Sequence, residues 1–136
     1  MQLEFWQRFA DYAYKREDFK HTFSPRKAQP QHWYSVSIGK STYHISFTIN
    51  TQKKRLGAEI YFSGDKASYS HFMEYREEIE KHLGVPVEWR EASKDCRILV
   101  LSDGDVKKGP DSWNAYFNWF CEFGLKLKEI TDKYSE

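Results

Sequence analysis

The stretch Trp33–Asn50, WYSVSIGKSTYHISFTIN, holds Gly39-Lys40-Ser41 at its centre, the closing letters of a phosphate-binding loop. Its reading decides both whether a nucleotide is held and how the flanking chain is arranged. A phosphate loop needs a further glycine at its start so that backbone amides can wrap the phosphates, and that position is Tyr34. Beyond the tripeptide, Tyr43, Ile45, Phe47 and Ile49 alternate with His44, Ser46 and Thr48, the period of a strand with one buried face. Gly39-Lys40-Ser41 therefore reads as a hairpin connection in which Gly39 supplies a positive φ, and the nucleotide loop is set aside.

Working outward, WYSVSIG, TYHISFTIN and LGAEIYFS form a meander of three strands, and NTQKKR, Asn50 to Arg55, joins the second to the third. On the N-terminal side, Phe5, Trp6, Phe9 and Ala13 recur at helical spacing and predict a helix from about Gln2 to Arg16. A polar, basic connection, KREDFKHTFSPRKAQPQH, follows, with Pro25 and Pro30 opposing helix and central strand alike. On the C-terminal side, Phe72, Tyr75, Ile79 and Leu83 predict one helix with an apolar stripe, ended by Gly84 and Pro86. Two strands, VPVEWREA and CRILVLSD, lead through GDVKKGPDS to a last helix over about Trp113–Tyr134, capped by Asp111 or Ser112. The order α-β-β-β-α-β-β-α predicts an α+β fold, a mainly antiparallel five-stranded sheet with helices packed on one face, as a single domain over residues 1–136.

The 136 residues suffice for a core without disulfide or metal, and 5 Trp, 9 Tyr and 10 Phe can fill it or reach a binding surface. No apolar run approaches a membrane span and the N-terminus lacks a signal peptide's apolar centre, so a cytoplasmic protein without membrane contact is expected. Cys96 and Cys121 are isolated and expected as buried thiols; the spacing of Cys and His supports no metal site, and no cofactor is expected. The formal charge of +1 conceals an asymmetry: residues 1–66 carry 11 Lys/Arg against 6 Asp/Glu, residues 67–136 carry 10 against 14. The basic half points to an anionic partner.

Three constellations could carry a function. Arg26, Lys27 and His32 precede Trp33, while Lys40 and Lys53, Lys54 and Arg55 occupy the other loops of the meander. Cations would neutralise phosphates and aromatics would stack on bases, so these eight residues are the candidate nucleic-acid-binding set. The plainer account is an ordinary basic surface with Trp33 and Tyr34 turned into the core. Asp103, Asp105 and Lys107 in SDGDVKK, with Glu88, satisfy the short acidic-x-Lys pattern of a metal-dependent nuclease, although Gly104 and Gly109 make the acids part of a turn. No hydrolase elbow or paired carboxylates support other chemistry, so no catalytic residue is assigned. In the last helix, Trp113, Tyr116, Phe117, Trp119, Phe120 and Phe123 are apolar almost all round. Either sheet and first helix cover them together, or Trp113, Trp119 and Phe120 form the interface of a homodimer.

The hairpin WYSVSIGKSTYHISFTI, the strand RLGAEIYFS, the run FMEYREEIEKHLGVPVEWRE followed by RILVL, and the closing WNAYFNWFCEFGLKLKEI together resemble the bacterial family called domain of unknown function 4268. The resemblance covers nearly the whole chain. Members often follow a restriction-endonuclease-like domain, which implies a place beside DNA processing or defence and a nuclease-like protein as partner. This chain opens directly in the shared domain, so DNA cleavage is not expected to carry over, and the family supplies no catalytic residues. The element order is also similar to that of type III secretion chaperones, small dimers that hold an effector segment, but those tend to be acidic and the pI here is about 7.8. The expectation is thus a non-catalytic module that binds nucleic acid or docks onto a nuclease-like partner. A chaperone-like peptide-binding dimer stands second and a metal-dependent nuclease third.

Overall fold

The computed structural model describes residues 1–135; Glu136, the last residue of the expected domain, lies outside them. Five strands, β1 (Trp33–Val36), β2 (Tyr43–Asn50), β3 (Arg55–Phe62), β4 (Glu88–Glu91) and β5 (Cys96–Asp103), form one sheet in the order β1-β2-β3-β5-β4. Every neighbouring pair is antiparallel. Gly39 has φ 78° in the β1–β2 connection, as a hairpin turn requires. The fold is α+β, as expected.

Helices depart from expectation in three places. The first helix, α1 (Gln2–Ala13), stops before Arg16, and a second, α2 (Glu17–Thr22), occupies what reads as open connection. Arg16 turns extended (φ −81°, ψ 127°), and its guanidinium straddles the junction, donating from Nε to Asp18 Oδ1 at 3.1 Å and from Nη2 to Oδ2 at 2.9 Å. Glu17 and Asp18 in the first turn, with Lys20 and His21 in the last, suit the helix dipole, and Phe19 is the fully buried anchor. A single apolar anchor in six residues leaves no period for sequence reading to detect.

The stripe Phe72–Leu83 is likewise split between α3 (Lys66–Met73) and α4 (Arg76–Leu83). At the break Glu74 N donates to His71 O at 3.2 Å and Tyr75 N to Phe72 O at 2.9 Å, a tighter turn than the α-helix makes. The kink rotates Tyr75 out of the stripe, leaving it 37% exposed while Phe72, Ile79 and Leu83 stay buried. The last helix, α5 (Trp113–Tyr134), has the expected span, but its start is different. Two single 3-10 turns, Val106–Lys108 and Pro110–Ser112, run into it; Asp111 lies inside the second, and Ser112 sits at the N-cap in helical conformation without a side-chain cap bond.

All five helices cover one face of the sheet. Its cross-strand rows Val36-Ile45-Ile60-Ile98 and Tyr34-Phe47-Ala58-Val100 are buried there. Phe5, Trp6 and Phe9 of α1 mesh with Phe117 and Phe120 of α5 and Phe47 of β2, mostly edge to face at 4.9–5.8 Å. Such pairs add about 0.5–1.5 kcal/mol each beyond the area they bury. The buried indoles are satisfied: Trp6 Nε1 donates to Gln31 O at 2.8 Å and Trp113 Nε1 to Val106 O at 2.9 Å. Cys96 and Cys121 are buried free thiols. Among the described residues no helix is long and apolar enough to cross a membrane.

Candidate functional site

The second face of the sheet carries no helix, and strand register fixes what it displays. One row reads His44, Tyr61, Arg97 and Arg90; the next reads Ser35, Ser46, Glu59, Leu99 and Glu88; the third reads Trp33, Thr48, Gly57 and Leu101. These are the positions that alternate with Ile45, Phe47 and Ile60, which are buried on the far side. At the β1 side of this face lies a concavity of about 580 Å³, walled by Arg26, Trp33, Lys40, His44, Tyr61 and Arg97, with Ser46, Thr48 and Glu59 beneath. That volume is in the range of roughly 300–1,000 Å³ typical of ligand sites.

Specific bonds hold its walls. Tyr34, core-facing in β1, accepts from Arg26 N at 3.0 Å and donates to Arg26 O at 2.6 Å, which clamps the preceding loop across the sheet edge and hangs the Arg26 side chain over the open face. Trp33 is tied down by Gln31 Nε2 donating to its carbonyl at 3.2 Å, and Ile49 N donates to His32 O at 2.9 Å. The Trp33 ring stays 39% exposed, with His32 edge-on at 4.8 Å. Opposite, His44 stacks on Tyr61 at 5.4 Å and 27°. Burial first, and then the Arg26 charge, push His44 below its ordinary value, so the ring is neutral at neutral pH. Tyr61 donates to Asp95 Oδ2 at 2.6 Å, and Gly64 N donates to Asp95 Oδ1 at 2.9 Å. That donor pair holds Asp95 ionised below its usual range, and the hydrogen bond, more than burial, raises Tyr61.

Beneath them lies an unusual group. Glu59, in the middle strand, is 2% exposed, and its contact is one ion pair, Arg97 Nη1 to Oε1 at 3.6 Å. Burial pushes its carboxyl above the ordinary range against the pull of Arg97 and Arg90. Beside it Ser35 and Ser46 share a hydroxyl bond of 2.8 Å. One row away the space over Gly57 is filled by Thr48: a Cβ there would meet Thr48 Oγ1 at 2.3 Å.

The structure brings Arg26, His32, Trp33 and Lys40 to this one concavity. Lys27 lies just outside, in a shallow recess shared with Arg26, Trp33 and Tyr34. Lys53, Lys54 and Arg55 lie elsewhere, at the β2–β3 turn, where Lys54 sits 4.0 Å from Asp105 and Arg55 3.5 Å from Asp103. Trp33 and Tyr34, weighed together from sequence, part company, one on the open face and the other in the core. Glu59, His44, Tyr61 and Arg97 escaped sequence reading. The available signal was a lone acid inside the apolar strand RLGAEIYF.

Of the residues named for other roles, Trp113 and Phe120 are covered within the chain at 2% and 0% exposure, and Trp119 is half-buried against Phe123. Asp103 projects into solvent, Asp105 accepts from Lys107 N at 3.2 Å, and Glu88 pairs with Arg90. Among the described residues no three His, Cys, Asp or Glu side chains converge as metal ligands.

A family model described as "Domain of unknown function (DUF4268)" matches residues 1–135. No curated protein matches the chain. A solved structure described as "Crystal Structure of the ExsC-ExsE Complex" is similar at 5% identity and a TM-score of 0.43, over 90% of this chain and 92% of that one. A likeness at that level says nothing of what this chain binds.

Proposed function

Since the chain belongs to the DUF4268 family, whose description assigns no activity, we propose from the site itself that it is a non-catalytic cytoplasmic module that binds single-stranded nucleic acid on the open face of its sheet, beside DNA processing or defence. The observation that supports this is the meeting of an exposed indole, Trp33, with the cations Arg26 and Lys40 in one concavity. An aromatic platform beside backbone-neutralising cations is the arrangement that takes up unpaired bases and their phosphates together. A duplex keeps its bases stacked inside and offers no ring face to the Trp33 indole, so single strands fit this face better.

Titration of labelled single-stranded oligonucleotides across a salt series tests it. Arg26→Glu with Lys40→Glu is expected to weaken binding and flatten the salt slope by about 0.7 per lost phosphate contact. Trp33→Ala is expected to cost about 1–3 kcal/mol, roughly 5- to 150-fold. Reversal of Lys53, Lys54 and Arg55 is expected to matter less, because two of these already face Asp105 and Asp103. Absence of binding at low salt would overturn the proposal and leave docking onto a protein partner as the better account of this face.

A further inference from the structure

Glu59 stands out in the molecule because its surroundings answer only part of what a carboxylate demands. An ionised carboxylate has room for about four hydrogen bonds, and burying one without partners is costly. Glu59 is 98% removed from solvent, yet the nearest cation, Arg97, stands 3.6 Å from Oε1, beyond hydrogen-bond length. Its neighbours across the strands do not fill the need. Ser46 and Ser35 bond to each other at 2.8 Å and neither is bonded to Glu59, and Leu99 is apolar. The carboxylate is also held where a ligand can reach it: it lines the 580 Å³ concavity from below. It sits in the middle strand of the sheet, with a backbone fixed by pairing to both β2 and β5.

Resting on the nucleic-acid proposal above, we propose that Glu59 makes the cavity selective for guanine. Guanine alone among the four bases of DNA presents two adjacent N–H donors, N1–H and the 2-amino group, on its Watson–Crick edge, and two carboxylate oxygens can accept both. Adenine and cytosine offer an amino group beside an acceptor nitrogen, which would face the carboxylate with a repelling lone pair. Thymine offers one imide N–H between two carbonyls. The rest of the cavity suits a purine presented in this way. Ser35, Ser46 and Thr48 line its floor beside Glu59, with His44 and Tyr61 on the wall. Trp33 stands exposed at the β1 edge for the ring face, while Arg26 and Lys40 lie on the rim for the phosphate.

Binding is compared for short thymine oligonucleotides carrying a single central dG, deoxyinosine, dA or dT, measured by fluorescence anisotropy at low salt. Wild type is expected to prefer dG over dT by roughly tenfold, as a bidentate base contact provides. Deoxyinosine, which lacks only the 2-amino donor, is expected to fall between them. Glu59→Gln keeps the shape but replaces one acceptor with a donor, and is expected to erase the dG preference, read as the ratio of dG-strand to all-thymine-strand affinity within the same variant. The inosine comparison needs no variant, so it reads the same contact even if Glu59→Gln fails to fold. Equal binding of all four strands by wild type, or a dG preference that survives in folded Glu59→Gln, would overturn guanine selection while nucleic-acid binding stood. Binding of none of the strands would instead remove the nucleic-acid proposal and this inference with it.

Discussion

A buried acid leaves a signature in stability as well as in binding. The Glu59 carboxyl is raised chiefly by burial, so the native state binds its proton more tightly than the unfolded chain does. Its contribution to stability is therefore fully present below the unfolded value, near pH 4.5, and is lost as pH rises through the native value. Glu59→Gln carries no such titration, so its thermal midpoint is expected to gain on wild type as pH rises above about 4.5. Circular dichroism melts at several pH values read this directly, and a gap that is constant or moves the other way would show that Arg97 outweighs burial. Cys121 gives an independent residue-level check: burial pushes its thiol up to about 12, and the thiolate is the reactive form. Iodoacetamide at mild alkaline pH is expected to leave Cys121 unlabelled until denaturant is added, as read by mass spectrometry; rapid native labelling would mean that α5 opens. In RLGAEIYF the acid was visible, but its burial was not, because one strand does not reveal which face its partners leave uncovered.

At the scale of elements, the approach of α5 to the sheet rests on a residue with no side chain. A Cβ on Gly124 would lie 2.6 Å from Phe47 Cζ and 2.9 Å from Cε1, and Phe47 is fully buried among Phe9, Phe19 and Phe120. Gly→Ala inside a helix ordinarily gains about 1 kcal/mol from propensity. Overpacking a rigid ring in a dense core costs about 1–3 kcal/mol. Gly124→Ala is therefore expected to lower unfolding stability by about 1 kcal/mol in urea titrations, and a gain would show that Phe47 has room to turn. This contact between residues far apart in sequence has no local trace. The strands did have one: strict alternation placed β2 correctly, with Gly39 at the turn and Gly84 left-handed (φ 71°) after α4. What failed was continuity. The apolar spacing from Phe72 to Leu83 fits one helix, and only the Tyr75 ring, packed at 5.6 Å from His71 and 4.9 Å from Tyr134, marks where the backbone turns.

Across the whole molecule, the two charge-biased halves of the chain do not form two charged surfaces. The antiparallel order puts β5 beside β3, so Asp103 and Asp105 from the acidic half meet Arg55 and Lys54 from the basic half, while Arg26 and Lys40 are joined in one concavity by Arg97 of β5. Of the six Lys and Arg residues named from sequence, Arg26 and Lys40 therefore belong together, and Lys54 and Arg55 drop out because their neutralising partners are distant in sequence. The same closure bears on self-association. A helix apolar almost all round needs cover on several sides, and α1, α2 and α4 supply it together with the sheet, leaving Trp113 and Phe120 at 2% and 0% exposure. Two of the three residues considered for a dimer are thus unreachable without unfolding, and Trp119 is already half-covered by Phe123. A stable homodimer buries about 1,600 Å² or more around an apolar centre, which one half-buried indole does not provide. Sedimentation at micromolar concentration is expected to give a monomer, and Trp119→Glu to leave that mass unchanged. A concentration-dependent dimer in wild type that Trp119→Glu dissociates would place an interface on this face of α5 and require the helix to rearrange around it.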